Sequence, residues 1–372
     1  MINGKNFNSE LQRKRILVAP LDWGLGHATR CIPIINELIF KNCEVLIAAS
    51  GNSYFLLKKE FPSLVILRVS GIKITYSGNK RWLPFKLLLQ FPKIIFSILK
   101  ERLWIKKNIK RYKIDAIISD NRPGMFSNKI PSVYITHQLL IKTGNVFSET
   151  IAQKIHYYFI KKYKYCWVPD WNENGLAGEL SHQDNKPSNV VYAGPLSRFE
   201  LLKDVQKKYD ALISISGPEP QRSIFEKKIL SQLKNCNKNI LFVRGLPHET
   251  ENLQTHNKSV KIINHLPADD LNEAFQQAEI IICRSGYTTI MDLVKLGKNA
   301  VLVPTPGQTE QEYLAKYLME KVFFNSVEQD NFSLETVLSE ALVFETSKAA
   351  CCMNNYKKVI KTFVQSIESG NF

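Results

Sequence analysis

Short runs of β-branched and aliphatic residues alternate with longer helical segments along nearly the whole chain, and they do so in two series. The first series comprises ILVAP (16–20), EVLIAA (44–49), LVILRV (64–69), DAIISD (115–120) and SVYIT (132–136). The second comprises ALISIS (211–216), NILFVRG (239–245), VKIIN (260–264), EIIICRSG (279–286) and NAVLVP (299–304). Strands that are apolar on both faces belong to parallel sheets covered by helices on each side. Two series therefore predict an α/β protein with two Rossmann-like parallel-sheet domains. Length agrees, because 372 residues exceed what one core uses, roughly 250–300. The Gly194-Pro195 step interrupts any regular element. The expected division is 1–195 for the first domain, 196–345 for the second, and 346–372 for a C-terminal helix returning to the first.

Composition excludes several classes. No apolar run approaches the ~18 residues of a membrane span, and the polar first fifteen residues lack the apolar core of a secretory leader. The seven cysteines are odd in number and form no C-x-x-C pair, so reduced thiols in a cytoplasmic chain are expected. A net charge of +16 favours anionic partners. No nucleic-acid-binding spacing accompanies it, so nucleic acid is not an expected partner.

In open parallel sheets the ligand lies beyond the carboxyl ends of the strands, which directs attention to the loops that follow them. After the first strand comes Asp22-Trp23-Gly24-Leu25-Gly26-His27, opening a helix. A helix head favours anions and keeps a nearby imidazole neutral. His27 is thus placed to act as a general base or, alternatively, as a capping residue. The third glycine of a dinucleotide fingerprint is replaced by Thr29, and the second strand ends in Ala48-Ala49-Ser50 rather than in an acid, so NAD is not expected. Asp120-Asn121-Arg122 and Thr136-His137-Gln138 follow two later strands and face the same side.

In the second series the loops carry Ser216, Gly217 and Arg222, then Arg244, then His265 and Leu266, then Arg284, Ser285, Gly286 and Thr288, then Gln308 and Gln311. Hydroxyls and backbone N–H groups at a helix start suit a diphosphate. Asp292, six residues after Gly286, suits a pair of ribose hydroxyls.

The stretch 281–322, ICRSGYTTIMDLVKLGKNAVLVPTPGQTEQEYLAKYLMEKV, resembles the C-terminal signature of family 28 glycosyltransferases, among them the peptidoglycan lipid-intermediate N-acetylglucosaminyltransferase. WGLGHATR is similar to the family's glycine-rich histidine loop, and SISGPEPQRS more loosely to its second glycine loop. The resemblance implies a GT-B fold, a UDP-sugar donor, a hydroxyl acceptor that is lipid-linked in the relative, and no cofactor. It further implies His27 as base, with His137 as competitor for that role. Gly26, Ser216, Gly217, Arg222, Arg244, His265, Leu266, Arg284, Ser285, Gly286, Thr288, Asp292, Gln308 and Gln311 would take the donor. Asp22, Trp23, Asp120, Asn121, Arg122 and Gln138 would take the acceptor. Glu312 stands where the relative has a second glutamine, and the prolines at 218 and 220 depart from the family pattern.

No Asp-x-Asp pair occurs, so donors at helix heads, with Arg222 and Arg284, are expected to replace a metal and to support a single inverting displacement. A nucleotide-sugar hydrolase, a 2-epimerase and a non-catalytic nucleotide-sugar-binding protein are alternatives on the same fold. Residues 80–113 hold eleven basic residues against one acid among bulky apolar ones. This pattern fits two helices, with Pro84 and Pro92 marking element starts or kinks, that meet an anionic membrane surface. The alternative is a helix pair packed on its own sheet. A peripheral position at the inner face of the cytoplasmic membrane follows from the first reading.

Overall fold

The computed structural model describes residues 13–71, 83–142, 146–251, 253–343 and 353–370. The first series of strands forms a seven-stranded sheet of β1 (Arg15–Pro20), β2 (Glu44–Ala49), β3 (Val65–Arg68), β4 (Ala116–Asp120), β5 (Ser132–Ile135), β6 (Tyr165–Val168) and β7 (Val190–Tyr192). Its order is β3-β2-β1-β4-β5-β6-β7 and every pairing is parallel. The helices between them are α1 (Leu25–Phe40), α2 (Gly51–Glu60), α3 (Leu83–Tyr112) and α4 (Val146–Ile160).

The second series forms a six-stranded parallel sheet in the order β10-β9-β8-β11-β12-β13. Its strands are β8 (Tyr209–Ser214), β9 (Ile240–Val243), β10 (Val260–Ile263), β11 (Ala278–Cys283), β12 (Ala300–Leu302) and β13 (Asn325–Ser326). Its helices are α5 (Gln221–Leu233), α6 (Ala268–Gln277), α7 (Tyr287–Leu296), α8 (Thr309–Glu320) and α9 (Leu334–Val343). Both sheets reverse strand order at their first strand, β1 and β8. That is the switch point at which such sheets open a crevice.

The apolar strands explain the layers. Ile16, Val18 and Ile47 point to one face of the first sheet and Leu17, Leu46 and Ile117 to the other, and all are buried. The core on the first of these faces is continuous with the second domain. It runs from Trp167 through Leu196 and Phe199 of the linker to Leu293 and Leu314. Helix α10 (Asn355–Ser369) closes this layer, with Phe363 edge-on to Trp167 at 5.4 Å and Asn355 Nδ2 donating to Tyr192 O at 3.0 Å. The last helix therefore lies on the first sheet.

One expected element differs. The basic segment forms a single helix, α3, with Pro92 inside it rather than a break. Proline removes one backbone hydrogen bond, and the packing of Ile105 against Leu17, Leu46 and Ile117 of the sheet helps to outweigh that loss in a thirty-residue helix. Residues 80–82 of that segment lie outside the described residues.

Candidate functional site

Strand order assembles the first half of the site. β4 lies beside β1 with Asp120 opposite Pro20, and β5 lies beside β4 with Ile135 opposite Asp120. The residues after β1, at the end of β4 and after β5 therefore meet at one edge. Helix α1 begins at Leu25, so His27 and Arg30, three apart, share a face. Both reach Asp120, which is fully buried. Arg30 Nε donates to Asp120 Oδ2 at 2.5 Å, and Nη2 donates to Oδ1. His27 Nδ1 stands 2.9 Å from the same Oδ1.

Burial alone would raise the Asp120 carboxyl, but the Arg30 charge, and after it His27, hold it at about 2. Asp120 is a carboxylate throughout the working pH range. Burial, then the Arg30 charge, push His27 below its ordinary value, while Asp120 opposes them. With Nδ1 carrying the proton, His27 donates to the carboxylate and its Nε2 lone pair is free. Arg30 Nη2, which can only donate, also lies 2.9 Å from Nδ1, but it already donates to Asp120 Oδ1; the other His27 tautomer would set a lone pair against that carboxylate oxygen, so the first is favoured.

His137 completes this half. Arg30 Nη1 lies 3.1 Å from its Nδ1 and donates to it, because arginine has no lone pair to offer. The ring proton is then on Nε2, 2.7 Å from Glu310 Oε1 of the second domain. Gln138 Nε2 donates to the other oxygen of Glu310 at 2.5 Å. The His137 ring also stacks on Tyr287 at 4.2 Å.

The second half stands at the heads of α7 and α8. Thr288 Oγ1 donates to Gly26 O at 3.1 Å across the domains. A Cβ on Gly26 would sit 3.2 Å from that hydroxyl, so a larger residue would press Thr288 back from the head of α1. A Cβ on Gly286 would meet nothing within 4 Å, which leaves open space at the head of α7. Beside it, Gly217 has φ +111°, and the Thr305 hydroxyl, its nearest side-chain neighbour, is buried with no hydrogen-bond partner. Ser216 is exposed at this loop. Backbone donors, an unpaired hydroxyl and free room together can take a phosphate group.

Several expected contacts are placed elsewhere. Arg222 is committed to Glu219 at 2.6 Å and Glu226 at 2.6 Å, and Arg244 to Glu226 and to Asn264 at 2.7 Å. Both guanidiniums are ion-paired within their own domain, Arg222 where a phosphate contact is expected and Arg244 where a donor contact is expected. Arg284 is buried and points away from the loop, donating to the carbonyls of Val303 and Pro304 and to Gln329 over the Phe225 ring. Burial lowers it to about 10. Asp292 accepts from Ser197 Oγ at 2.6 Å and lies 3.8 Å from Arg198, so it grips the linker rather than an open ribose site. Burial raises it to about 6, against Arg198.

Ser285 Oγ donates to Gln311 O, and Gln311 Oε1 accepts from Thr305 N while its amide meets Gln308, so these side chains build the loop's shape. His265 is half-buried beside Leu266, and burial, then Lys59, press it down to about 4. On the acceptor side, Arg122 is a core residue paired with Glu101 at 2.8 Å, with Nη2 on Ser70 O, and it offers nothing to a ligand. Asp120 is likewise no surface contact, because its oxygens are occupied by Arg30 and His27. Asp22 accepts from Ser53 N at the head of α2, Asn121 accepts from Tyr134 OH at 2.8 Å, and Trp23 is partly exposed beside them in sequence.

Two residues that matter here escaped the sequence. Arg30 could have been found from its three-residue spacing to His27. Glu310 gave no signal, because its partners are 172 and 173 residues away.

Comparison with known proteins agrees with the fold. Residues 221–369 match the glycosyltransferase family 28 C-terminal domain. The UDP-N-acetylglucosamine--N-acetylmuramyl-(pentapeptide) pyrophosphoryl-undecaprenol N-acetylglucosamine transferase of Glaesserella parasuis is 25% identical over 351 residues, 90% of this chain and 91% of that one. An uncharacterized glycosyltransferase of Methanosarcina acetivorans is 22% identical, covering 82% and 84% of the two chains. Among solved structures, MurG of Acinetobacter baumannii superposes with a TM-score of 0.51 at 16% identity, covering 96% and 95%. The kitacinnamycin glycosyltransferase superposes with a TM-score of 0.63 at 11% identity, covering 96% of each chain. The protein is a glycosyltransferase with the GT-B fold. More particularly, it resembles family 28, through its C-terminal domain and through relatives aligned along most of the chain.

Proposed function

We propose that the protein transfers a sugar from a UDP-sugar to a hydroxyl of a lipid-linked acceptor, with His27 as the general base and inversion at the anomeric carbon. The observation that carries this reading is the His27–Asp120 pair at the head of α1, opposite the open space at the head of α7. A buried carboxylate on Nδ1 fixes the ring and stabilises the imidazolium that forms as the acceptor proton is taken. The negative charge growing on the departing diphosphate is met by the N–H groups of the α7 head, by the Thr305 hydroxyl and by the helix dipole. These donors serve without a metal. His137 is a poorer base in this arrangement, because Arg30 occupies one ring nitrogen and Glu310 the other.

The acceptor side fits a membrane surface. Phe96, Leu99 and Leu103 form an exposed apolar row on α3, flanked by the exposed Lys93, Lys100, Lys106 and Lys107. The opposite face, with Ile98 and Ile105, covers the sheet. The inner face thus accounts for packing, and the outer row fits an anionic lipid interface. No helix among the described residues is long and apolar enough to cross a membrane.

The test is a transfer assay with a panel of UDP-sugars and polyprenyl-diphosphate-linked acceptors. His27→Ala should lose roughly 10²–10⁴-fold in kcat while UDP affinity holds, the product anomer should be inverted, and EDTA should leave the rate unchanged. Retention of configuration, loss of turnover in EDTA, or His137→Ala behaving as His27→Ala is expected to behave would each contradict it. Release of free sugar without acceptor would point to a hydrolase.

A further inference from the structure

Arg30 joins the two histidines and, through them, the two domains. Its guanidinium is 2% exposed and uses three nitrogens on two partners, Nε and Nη2 on Asp120 and Nη1 on His137 Nδ1, while Nη2 stands 2.9 Å from the protonated His27 Nδ1. Such a fork holds a carboxylate in one plane, which a point charge on a flexible stem does not. The plane matters because Asp120 Oδ1 is the oxygen that faces His27. The far end of the same chain is Glu310, which belongs to the second domain and reaches His137 only when the α1 and α8 heads are close.

We propose that Arg30 is a positioning residue for the transfer, holding the Asp120 carboxylate under His27 and tying that geometry, through His137, to the docking of Glu310. The inference rests on the reading of His27 as base. Arg30 touches neither reactant and acts through Asp120 and His137. The groups that face His27 are Arg30 on its own helix, Asp120 of β4, His137 after β5 and Glu310 of α8, with Cys31 Sγ donating to the other oxygen of Asp120 at 3.7 Å. Of these, Arg30 carries the nearby positive charge that, after burial, presses His27 down most, with His137 adding to it, so removing Arg30 moves the His27 titration upward.

The full-length protein carries the test. Histidine-labelled wild type, Arg30→Lys and Arg30→Met are titrated by NMR, and the pH profile of kcat/KM is measured for each. Arg30→Met should raise the His27 midpoint and lower kcat by about 10–100-fold, with donor KM within about twofold. Arg30→Lys keeps the charge, removes the fork and preserves folding should Arg30→Met fail. It should lower kcat by about tenfold with a smaller shift of the acid limb toward higher pH. Glu310→Gln should lower kcat in wild type and add no further loss in the Arg30→Lys background.

A folded Arg30 variant whose His27 midpoint and acid limb both stay at the wild-type pH would overturn the proposal, as would full additivity with Glu310→Gln. The NMR titration reads the positioning without turnover. If His27→Ala stays active, the base assignment fails; if His27→Ala is dead while the Arg30 variants titrate as wild type, the positioning assignment fails alone.

Discussion

At the scale of single residues, the site is a set of charges whose values are set by what lies against them. Asp120 is held ionised because Arg30 and His27 surround it, whereas Asp292, equally buried, is lifted to about 6 because burial outweighs the more distant Arg198. The second case has a measurable consequence. A carboxyl whose folded value is raised contributes stability that is present below its unfolded value, near 4, and is lost as pH rises through about 6. Asp292→Asn keeps an acceptor for Ser197 and cannot ionise. Its stability relative to wild type should therefore grow by on the order of 2–3 kcal/mol between pH 4 and pH 8. Urea unfolding across that range checks it, and a difference that stays flat with pH contradicts it.

Removing Asp120 should act more severely than removing His27. Asp120→Asn leaves Arg30 buried without its counter-charge, which costs about 3–5 kcal/mol, while His27→Ala should change the melting temperature little. Thermal unfolding of the two variants separates the roles. Equal losses would mean that His27 is as structural as Asp120.

At the scale of elements, the alternation of apolar strands and helices made both sheets legible, since parallel strands buried on two faces have a composition that few other elements share. His27 was legible for the same reason: it follows the first strand, where such sheets bind ligands. The partnership of His27 with Asp120 was not. It spans 93 residues and depends on β4 pairing with β1 in the register that sets Asp120 opposite Pro20. Arg222 reads as a phosphate ligand and Arg244 as a donor-binding residue because position after a strand is visible in sequence. The pairing of these arginines with Glu219 and Glu226 is not.

Helix α3 carries its own prediction. Phe96 and Leu103 are 59% and 69% exposed, so replacing both by glutamate removes no core contact. The double variant should keep its fold and its UDP affinity. It should lose most of its sedimentation with anionic liposomes at low salt and turn over lipid-linked acceptor more slowly. Undiminished liposome binding would contradict the assignment of this face.

At the scale of the whole molecule, the two domains share the apolar layer around the linker, and beyond it they meet through polar contacts that a hinge can break. Tyr287 OH donates to Pro169 O at 2.8 Å, Tyr317 OH to Gly175 O at 3.0 Å, and Glu310 bridges to His137 and Gln138. The described arrangement is therefore a closed one, with the helix heads of both sheets in contact. Interfaces of this kind within a chain permit relative motion of the domains.

In the mechanism proposed above, the diphosphate of the donor lies at the head of α7, where Gly286 leaves room, with His27 on the opposite side. A crystal structure with uridine diphosphate bound tests it most directly. The account predicts phosphate oxygens within hydrogen-bond distance of the backbone N–H groups at 286–288 and of the Thr305 hydroxyl, with His27 Nε2 facing the adjoining space. Nucleotide seated elsewhere on the protein, or no bound nucleotide at millimolar concentration, would contradict it.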